Sequence, residues 1–138
     1  MKVRWTEDSL RLRVTPTELD ALCSGGAIEA SLAFPSAPDL DAPVRWHIVL
    51  RLDENLRVAE MRSGSANTAL VLITAADIAK LREPTREGVY FATPTGDGRE
   101  TRFYVEKDFP CIHPRAGEAN ETPTETFAPP TDFAQRKA

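Results

Sequence analysis

The sequence predicts an α+β domain with a mostly antiparallel sheet of about seven strands, two short helices and an extended proline-rich C-terminal tail. Three observations support this class. Apolar and polar residues alternate over several stretches, which is the period of strands with one buried face. Two threonines carry the signals that begin helices. Five of the eleven prolines fall in 110–138, where the alternation has ended.

The alternation predicts strands along most of the chain. Val3 and Trp5 alternate on the opposite parity to the strand at 10–14, so a turn or bulge at 7–9 must separate these two strands. The continuously apolar run from Ala69 to Ile73 indicates a central strand. The remaining strands are expected at 10–14, 28–34, 44–52, 56–62, 88–93 and 99–105.

Two hairpins are predicted from short polar connections. Asp53-Glu54-Asn55 is a tight link, so 44–52 and 56–62 are expected to pair with each other. Thr95-Gly96-Asp97-Gly98 has the glycines of a hairpin turn and is expected to join 88–93 to 99–105.

Both helices are predicted from their first residues. Thr15-Pro16-Thr17-Glu18 offers an N-cap threonine, a proline at the first helical position and a carboxylate three residues on, which together form a capping box. Thr74-Ala75-Ala76-Asp77 begins the second helix in nearly the same way. Gly25-Gly26 ends the first helix and Pro84 ends the second.

An internal pseudo-repeat of strand–helix–strand–strand is a further expectation. The sequence of Val14–Leu22 aligns with that of Ile73–Leu81, and each segment is followed by a glycine and a new strand. Such self-similarity is typical of repeated supersecondary units. The alternative is that capping-box residues make any two entries from a strand into a helix look alike.

Composition limits the classes of protein. With 138 residues, a net charge of −4 and two cysteines, the chain fits one reduced cytoplasmic domain over 1–109. The tail, 110–138, is acidic and is expected to be partly docked with a mobile end. No apolar run is long enough for a membrane helix. The mild negative charge argues against nucleic acid as a partner, and no cofactor is expected.

The segment from Glu106 to Arg115 combines an aromatic ring, a thiol, an imidazole and several charges. We expect it to clasp the tail to the domain, with Phe109 and Ile112 filling an apolar seam while Lys107 and Asp108 stay in water. Glu106 and Arg115 are expected to pair with charges on the sheet, at a gain of about 0–1 kcal/mol for an exposed pair. The predicted clasp comprises Glu106, Lys107, Asp108, Phe109, Cys111, Ile112 and Arg115.

Both ends of the chain carry residues that resemble a small bacterial family, a domain of unknown function. Its members look like Met-Lys-x-Arg and Ser-φ-Arg-Leu-Arg-φ-Thr near the start and Glu-Lys-Asp-Phe-x-Cys near the end. Met1-Lys2-Val3-Arg4, Ser9–Thr15 and Glu106–Cys111 match these motifs, and Arg115 matches an arginine that follows them in the family. Phe127-Ala128-Pro129-Pro130 departs from the family's Phe-Pro-x-Pro close. The resemblance implies a shared fold and a structured C-terminal segment, and implies no reaction.

Cys111 and His113 are the candidates for chemistry. Residues two apart in an extended segment point the same way, and Cys–His pairs ligate zinc or activate a thiolate. A zinc site needs about four ligands, however, and His47 and Cys23 are distant in sequence. The alternative is that Cys111 is a small buried apolar residue and His113 lies at the surface.

A basic sheet face is the second candidate site. Lys2, Arg4 and five further basic or imidazole side chains share the outward parity of their strands and would form one patch if those strands were neighbours, with the five as the possible anion-binding face. Such a patch attracts a small anion or an acidic protein. The alternative is a solvated face whose arginines pair with carboxylates across strands. The residues are Arg11, Arg13, Arg45, His47 and Arg51.

The polar residues form no recognisable catalytic set, and no phosphate-binding loop, dinucleotide fingerprint or nucleophile motif is present. This favours a non-enzymatic binding or interaction module that uses the arginine-bearing sheet face or the tail. The alternative is a small metal-binding or thiol-dependent enzyme centred on Cys111 and His113.

Overall fold

The computed structural model describes residues 1–36, 38, 41–110, 125–133 and 135. These residues form an α+β fold with two helices and eight strands. In chain order the elements are β1 (Lys2–Trp5), β2 (Ser9–Val14), α1 (Pro16–Cys23), β3 (Ala27–Phe34), β4 (Val44–Leu52), β5 (Glu60–Ser65), β6 (Thr68–Ile73), α2 (Ala75–Arg82), β7 (Gly88–Pro94) and β8 (Glu100–Lys107).

The strands form two mixed sheets, where the sequence predicted one mostly antiparallel sheet of about seven strands. Sheet A has the order β1-β2-β8-β7 and sheet B the order β3-β4-β6-β5. In each sheet the two central strands run parallel and each outer strand is antiparallel to its neighbour. The difference arises because the helices carry the chain from one sheet to the other, and alternation within a strand does not encode such a crossover.

One predicted hairpin is confirmed and one is wrong. β7 and β8 pair antiparallel across the Thr95–Gly98 turn. β4 instead pairs in parallel with β6, and β5 begins at Glu60 and pairs with β6. The turn at 53–55 does form, since Asn55 N–H donates to Asp53 Oδ1 at 3.0 Å. It leads the chain away from β4, and Asp53 N–H donates to Ile73 O at 2.9 Å, which extends the parallel ladder.

Both capping boxes form as predicted. Thr15 accepts from the Glu18 N–H, and the Glu18 carboxylate accepts from the Thr15 N–H at 2.9 Å. Thr74 and Asp77 make the equivalent pair at the start of α2, where both residues are buried. Gly25, with φ of +80°, follows the C-cap of α1 in a left-handed conformation that other residues adopt at a cost.

The two sheets face each other over one apolar core, and the helices close one end of it. Each central pair of strands is parallel, and α1 and α2 follow β2 and β6 and contact each other. The carboxyl ends of all four central strands therefore meet the helices. The core takes residues from both sheets and both helices, among them Leu12, Leu22, Leu50, Val71, Leu81 and Phe103. Within the described residues, no helix covers the opposite end of the sheets.

Candidate functional site

A cavity of about 950 Å³ opens between the sheets at the end away from the helices. One wall is aromatic and aliphatic, because Trp5 from β1 faces Leu32 and Phe34 from β3 and Trp46 from β4. The rings of Trp5 and Trp46 meet edge to face with centroids 6.3 Å apart, which joins the two sheets along this side. The floor is formed by Leu10, Ile48, Met61 and Ala69.

The strand register explains why these large apolar groups lie in the cavity. Trp5 is opposite Leu10, and Leu32 is opposite Trp46, so all four point into the space between the sheets. Leu10 is deep enough to be buried, whereas Trp5 is 64% exposed and Leu32 is 60% exposed. Side chains near the open end thus keep the inward parity of a core residue while most of their surface stays exposed.

The other wall of the cavity carries hydroxyl groups. It is built where β5 and β7 approach each other, and Met61 N–H donates to Thr93 Oγ1 at 3.4 Å across the gap between the sheets. Thr93 is opposite Thr101 in the β7–β8 pair, so both hydroxyls face inward. The hydroxyl residues on this side are Ser63, Ser65, Thr68, Thr93, Thr95 and Thr101. The cavity therefore has an apolar wall and a hydrogen-bonding wall.

These features are those of a ligand cavity. Ligand cavities are typically about 300–1,000 Å³ in volume and mostly apolar, with a few polar groups that orient the ligand. The ionisable residues that border this cavity are Glu7, His47 and Arg62. The His47 ring contacts the Glu29 carboxylate. No group of three or more metal-ligating side chains occurs within the described residues.

The predicted anion-binding face is not one surface. Arg11 and Arg13 lie on β2 in sheet A, whereas Arg45, His47 and Arg51 lie on β4 in sheet B. The condition that their strands be neighbours is not met, because α1 moves the chain to the other sheet between β2 and β3. Arg11 and Arg13 do pair with a carboxylate across strands, at 3.6 and 3.8 Å from Glu106.

The predicted clasp begins inside the protein rather than at its surface. The expectation that Lys107 and Asp108 stay in water is wrong, since they are 5% and 1% exposed. The parallel pairing of β8 with β2 continues to the end of β8, and Asp108 N–H donates to Val14 O at 2.9 Å. The residues are therefore held within the sheet at its helix end.

The buried charges have few partners. Lys107 Nζ donates to Glu83 O, the C-cap carbonyl of α2, at 2.6 Å. Burial lowers the Lys107 pKa, and the nearby Glu83 carboxylate partly offsets that shift. Lys2 Nζ lies 2.8 Å from Asp108 Oδ2. Among the described residues, neither Asp108 oxygen accepts a hydrogen bond of good geometry.

The aromatic part of the clasp contacts the described section of the tail. Phe109 stacks at a tilt against Phe133, with centroids 4.8 Å apart, and meets Phe127 edge to face at 6.4 Å. Phe127 N–H donates to Asp108 O at 2.9 Å, and the Lys107 ammonium lies 5.5 Å from the Phe127 ring. The role of these residues as a clasp stays a prediction. Cys111, Ile112, His113 and Arg115 lie outside the described residues.

The cavity was missed from the sequence although its signal was present. Trp5 and Trp46, both of the tryptophans in the chain, share the inward parity of their strands and sit near strand ends. Two large aromatics at the ends of alternating strands indicate either a capped core or an open pocket. The difference depends on which strands face each other, and the sequence pattern does not contain that information.

The fold and the cavity define a two-sheet α+β domain with an apolar site at its open end. The chain belongs to a family described as "Family of unknown function (DUF7009)", whose model matches residues 1–129. No curated protein and no solved structure shows significant similarity to it. Within the described residues, neither helix has the length or the apolar character required to cross a membrane.

Proposed function

We propose that this protein is a non-enzymatic binding module whose ligand is a small molecule with an apolar ring or chain and a hydrogen-bonding edge. The observation that carries the proposal is the cavity of about 950 Å³ with Trp5, Leu32, Phe34 and Trp46 on one side. Exposed apolar groups gathered in a concavity favour binding, since scattered ones are ordinary at a protein surface.

The volume and the two walls favour a small molecule over a folded partner. A volume near 950 Å³ holds a molecule of drug size and is too small for a packed secondary-structure element with its side chains. The aromatic wall would stack on an apolar ring or chain. The hydroxyls of Ser63, Thr93 and Thr101 would orient a polar edge by hydrogen bonds.

The two tryptophans provide a direct assay. Both line the cavity, so intrinsic fluorescence reports on its occupancy without a label. We expect the neutral probe 1-N-phenylnaphthylamine to quench this fluorescence with saturation. Leu32→Glu places a charge on the apolar wall and should weaken binding at least tenfold. The matched control is Val58→Glu, because Val58 is 72% exposed and lies outside the cavity.

Two results would contradict the proposal. One is the absence of saturable quenching, and the other is an equal loss of affinity in the Leu32→Glu and Val58→Glu variants. A second copy of the chain is the competing occupant of the apolar wall. Light scattering over a range of concentrations distinguishes it, since a dimer abolished by Leu32→Glu but not by Val58→Glu would identify the cavity as a subunit interface.

We also infer that the two halves of the chain are structural repeats that build the site together. Each half contributes a hairpin, a helix and a second hairpin, and each helix joins the two sheets. β1 and β2 belong to sheet A and β3 and β4 to sheet B, and the second half reverses that order. An experimental structure in which the two halves superpose poorly on their Cα atoms would refute the repeat.

A further inference from the structure

The outer face of sheet A carries a straight row of basic and aromatic side chains. Arg4 is opposite Arg11, Arg11 is opposite Tyr104, and Tyr104 is opposite Tyr90. Residues paired in this way point to the same side of a sheet, so the row crosses all four strands. It lies on the face turned away from the apolar cavity, and the proposed binding of an apolar ligand does not use it.

The two arginines at one end of the row are only partly neutralised. Like charges directly opposite each other across an antiparallel pair are unfavourable. Arg11 has a carboxylate 3.6 Å away, but it shares that carboxylate, Glu106, with Arg13. Within the described part of the chain, no ion pair or hydrogen bond forms at the Arg4 guanidinium. The arrangement leaves positive charge available to an external anion.

A small cavity of about 170 Å³ lies beside these arginines and is lined by Arg4, Thr6, Ser9 and Arg11. All four side chains can donate hydrogen bonds. Thr6 and Ser9 are held in place by the turn between β1 and β2, where Thr6 N–H donates to Ser9 O at 2.9 Å and the two hydroxyls are 2.5 Å apart. The volume exceeds that of several water molecules, at about 30 Å³ each, and accommodates a tetrahedral oxyanion.

We propose that Arg4, Thr6, Ser9 and Arg11 form a binding site for a phosphate group. Guanidinium forks bind phosphate oxygens in a bidentate manner. One of the two hydroxyls donates to the other, and the remaining O–H supplies a further donor to the phosphate. A bound phosphate would also remove the repulsion between the two arginines. The phosphate belongs either to the free ion or to a larger molecule whose aromatic part extends along Tyr104 and Tyr90.

The test follows thermal unfolding and amide chemical shifts of the full chain during titration with inorganic phosphate, with ionic strength held constant by chloride. We expect saturable stabilisation and shifts that centre on residues 4–11. Arg4→Gln and Arg11→Gln should each weaken phosphate binding at least fivefold. Arg57→Gln, at an exposed arginine between β4 and β5, should leave it unchanged.

The two arginine variants also separate a binding site from an ordinary charged surface. In phosphate-free buffer Arg4→Gln should raise the melting temperature slightly, because it removes a like-charge pair, whereas in saturating phosphate it should lower it relative to the unmodified protein. A phosphate titration without saturation, or the same stabilisation in Arg4→Gln, would overturn the proposal. Neither result bears on the apolar cavity, whose test uses a neutral probe.

Phenyl phosphate identifies the source of the phosphate group. Tighter binding than inorganic phosphate, with the gain lost in Tyr104→Ala, would assign the site to an aromatic phosphate ester, because Tyr104 is the ring next to Arg11 in the row. Equal affinities would assign it to the free ion. Either outcome supports the site, provided that Arg4→Gln weakens both ligands.

Discussion

The salt bridge between Lys2 and Asp108 allows the buried position of Asp108 in the structure to be tested against the exposed position that the sequence predicted. The sequence places Asp108 in water, where loss of a partner would change stability very little. The structure buries its carboxylate to 1% exposure beside the Lys2 ammonium. Lys2→Met keeps most of the length of the side chain and removes only the charge, so it isolates the ionic contribution.

The expected magnitude follows from the different exposures of the two partners. Loss of one member of a fully buried ion pair costs about 3–5 kcal/mol, because the remaining charge is left without compensation. The Lys2 side chain is 52% exposed, so water reaches this end of the pair and reduces the cost. We expect Lys2→Met to lower the free energy of unfolding by about 1–3 kcal/mol. With a urea slope of about 1.5 kcal/mol per M, the midpoint falls by about 0.7–2 M.

Lys80→Met is a matched control. Its ammonium lies 3.6 Å from the Asp77 carboxylate, and Lys80 is 49% exposed, close to the value for Lys2. Asp77, however, also accepts hydrogen bonds from Thr74 N–H at 3.1 Å and from the Thr74 hydroxyl at 2.6 Å. Its carboxylate keeps these donors when the lysine is removed, so the control should cost no more than about 0.5 kcal/mol.

Urea unfolding, followed by far-UV circular dichroism, measures the free energy of unfolding of both variants. Asp108→Asn, alone and combined with Lys2→Met, completes a double-mutant cycle. In the Asp108→Asn background Lys2→Met should cost less than about 0.5 kcal/mol, because no buried charge remains to be compensated. The reasoning is refuted if Lys2→Met matches Lys80→Met, or if its cost is the same with and without the Asp108 carboxylate.

Three further predictions concern other parts of the molecule. Phe109→Ala should lower the free energy of unfolding by about 1–3 kcal/mol in a thermal melt, since the half-buried ring packs on Phe133; an unchanged melt would count against the clasp. Leu50→Ala, at a fully buried position between the sheets, should cost about 2–5 kcal/mol and keep a single calorimetric transition; two separate transitions would show that the sheets unfold independently. Partial desolvation of the Tyr90 ring, which is 56% exposed, and the nearby Glu106 and Glu87 carboxylates raise the Tyr90 pKa above 10.0, and Arg11 partly offsets this rise. Stability should therefore fall as pH rises from about 10 through that raised pKa, and Tyr90→Phe should lose this component of the pH dependence in urea titrations.

Local features of this fold could be predicted because their causes are local. Thr15 and Glu18 lie three residues apart, and their capping box depends on backbone groups within one helical turn. The β7–β8 hairpin is similar, since Gly96 and Gly98 adopt positive φ values of +87° and +83° in a turn that directly joins its strands.

Pairing between distant strands could not be predicted in this way. β2 pairs with β8 although about ninety residues separate Leu10 from Phe103. Alternation in Leu10 and Leu12 gives each strand an inward face and leaves its neighbours undetermined. The same gap explains the burial of Asp108, which depends on the continuation of this parallel pair past the end of the regular alternation.

The cavity and the basic row arise from the same long-range pairing. Within the β1–β2 hairpin, Trp5 and Leu10 point inward while Arg4 and Arg11 point outward, which alternation alone predicts. Leu10 becomes core because the facing sheet covers it, and Trp5 remains exposed because that cover ends at the open end of the sheets. Arg11 meets Tyr104 only because β8 lies beside β2. Both candidate sites therefore depend on which strands become neighbours, so substitutions that preserve alternation but alter strand pairing should abolish the two sites together.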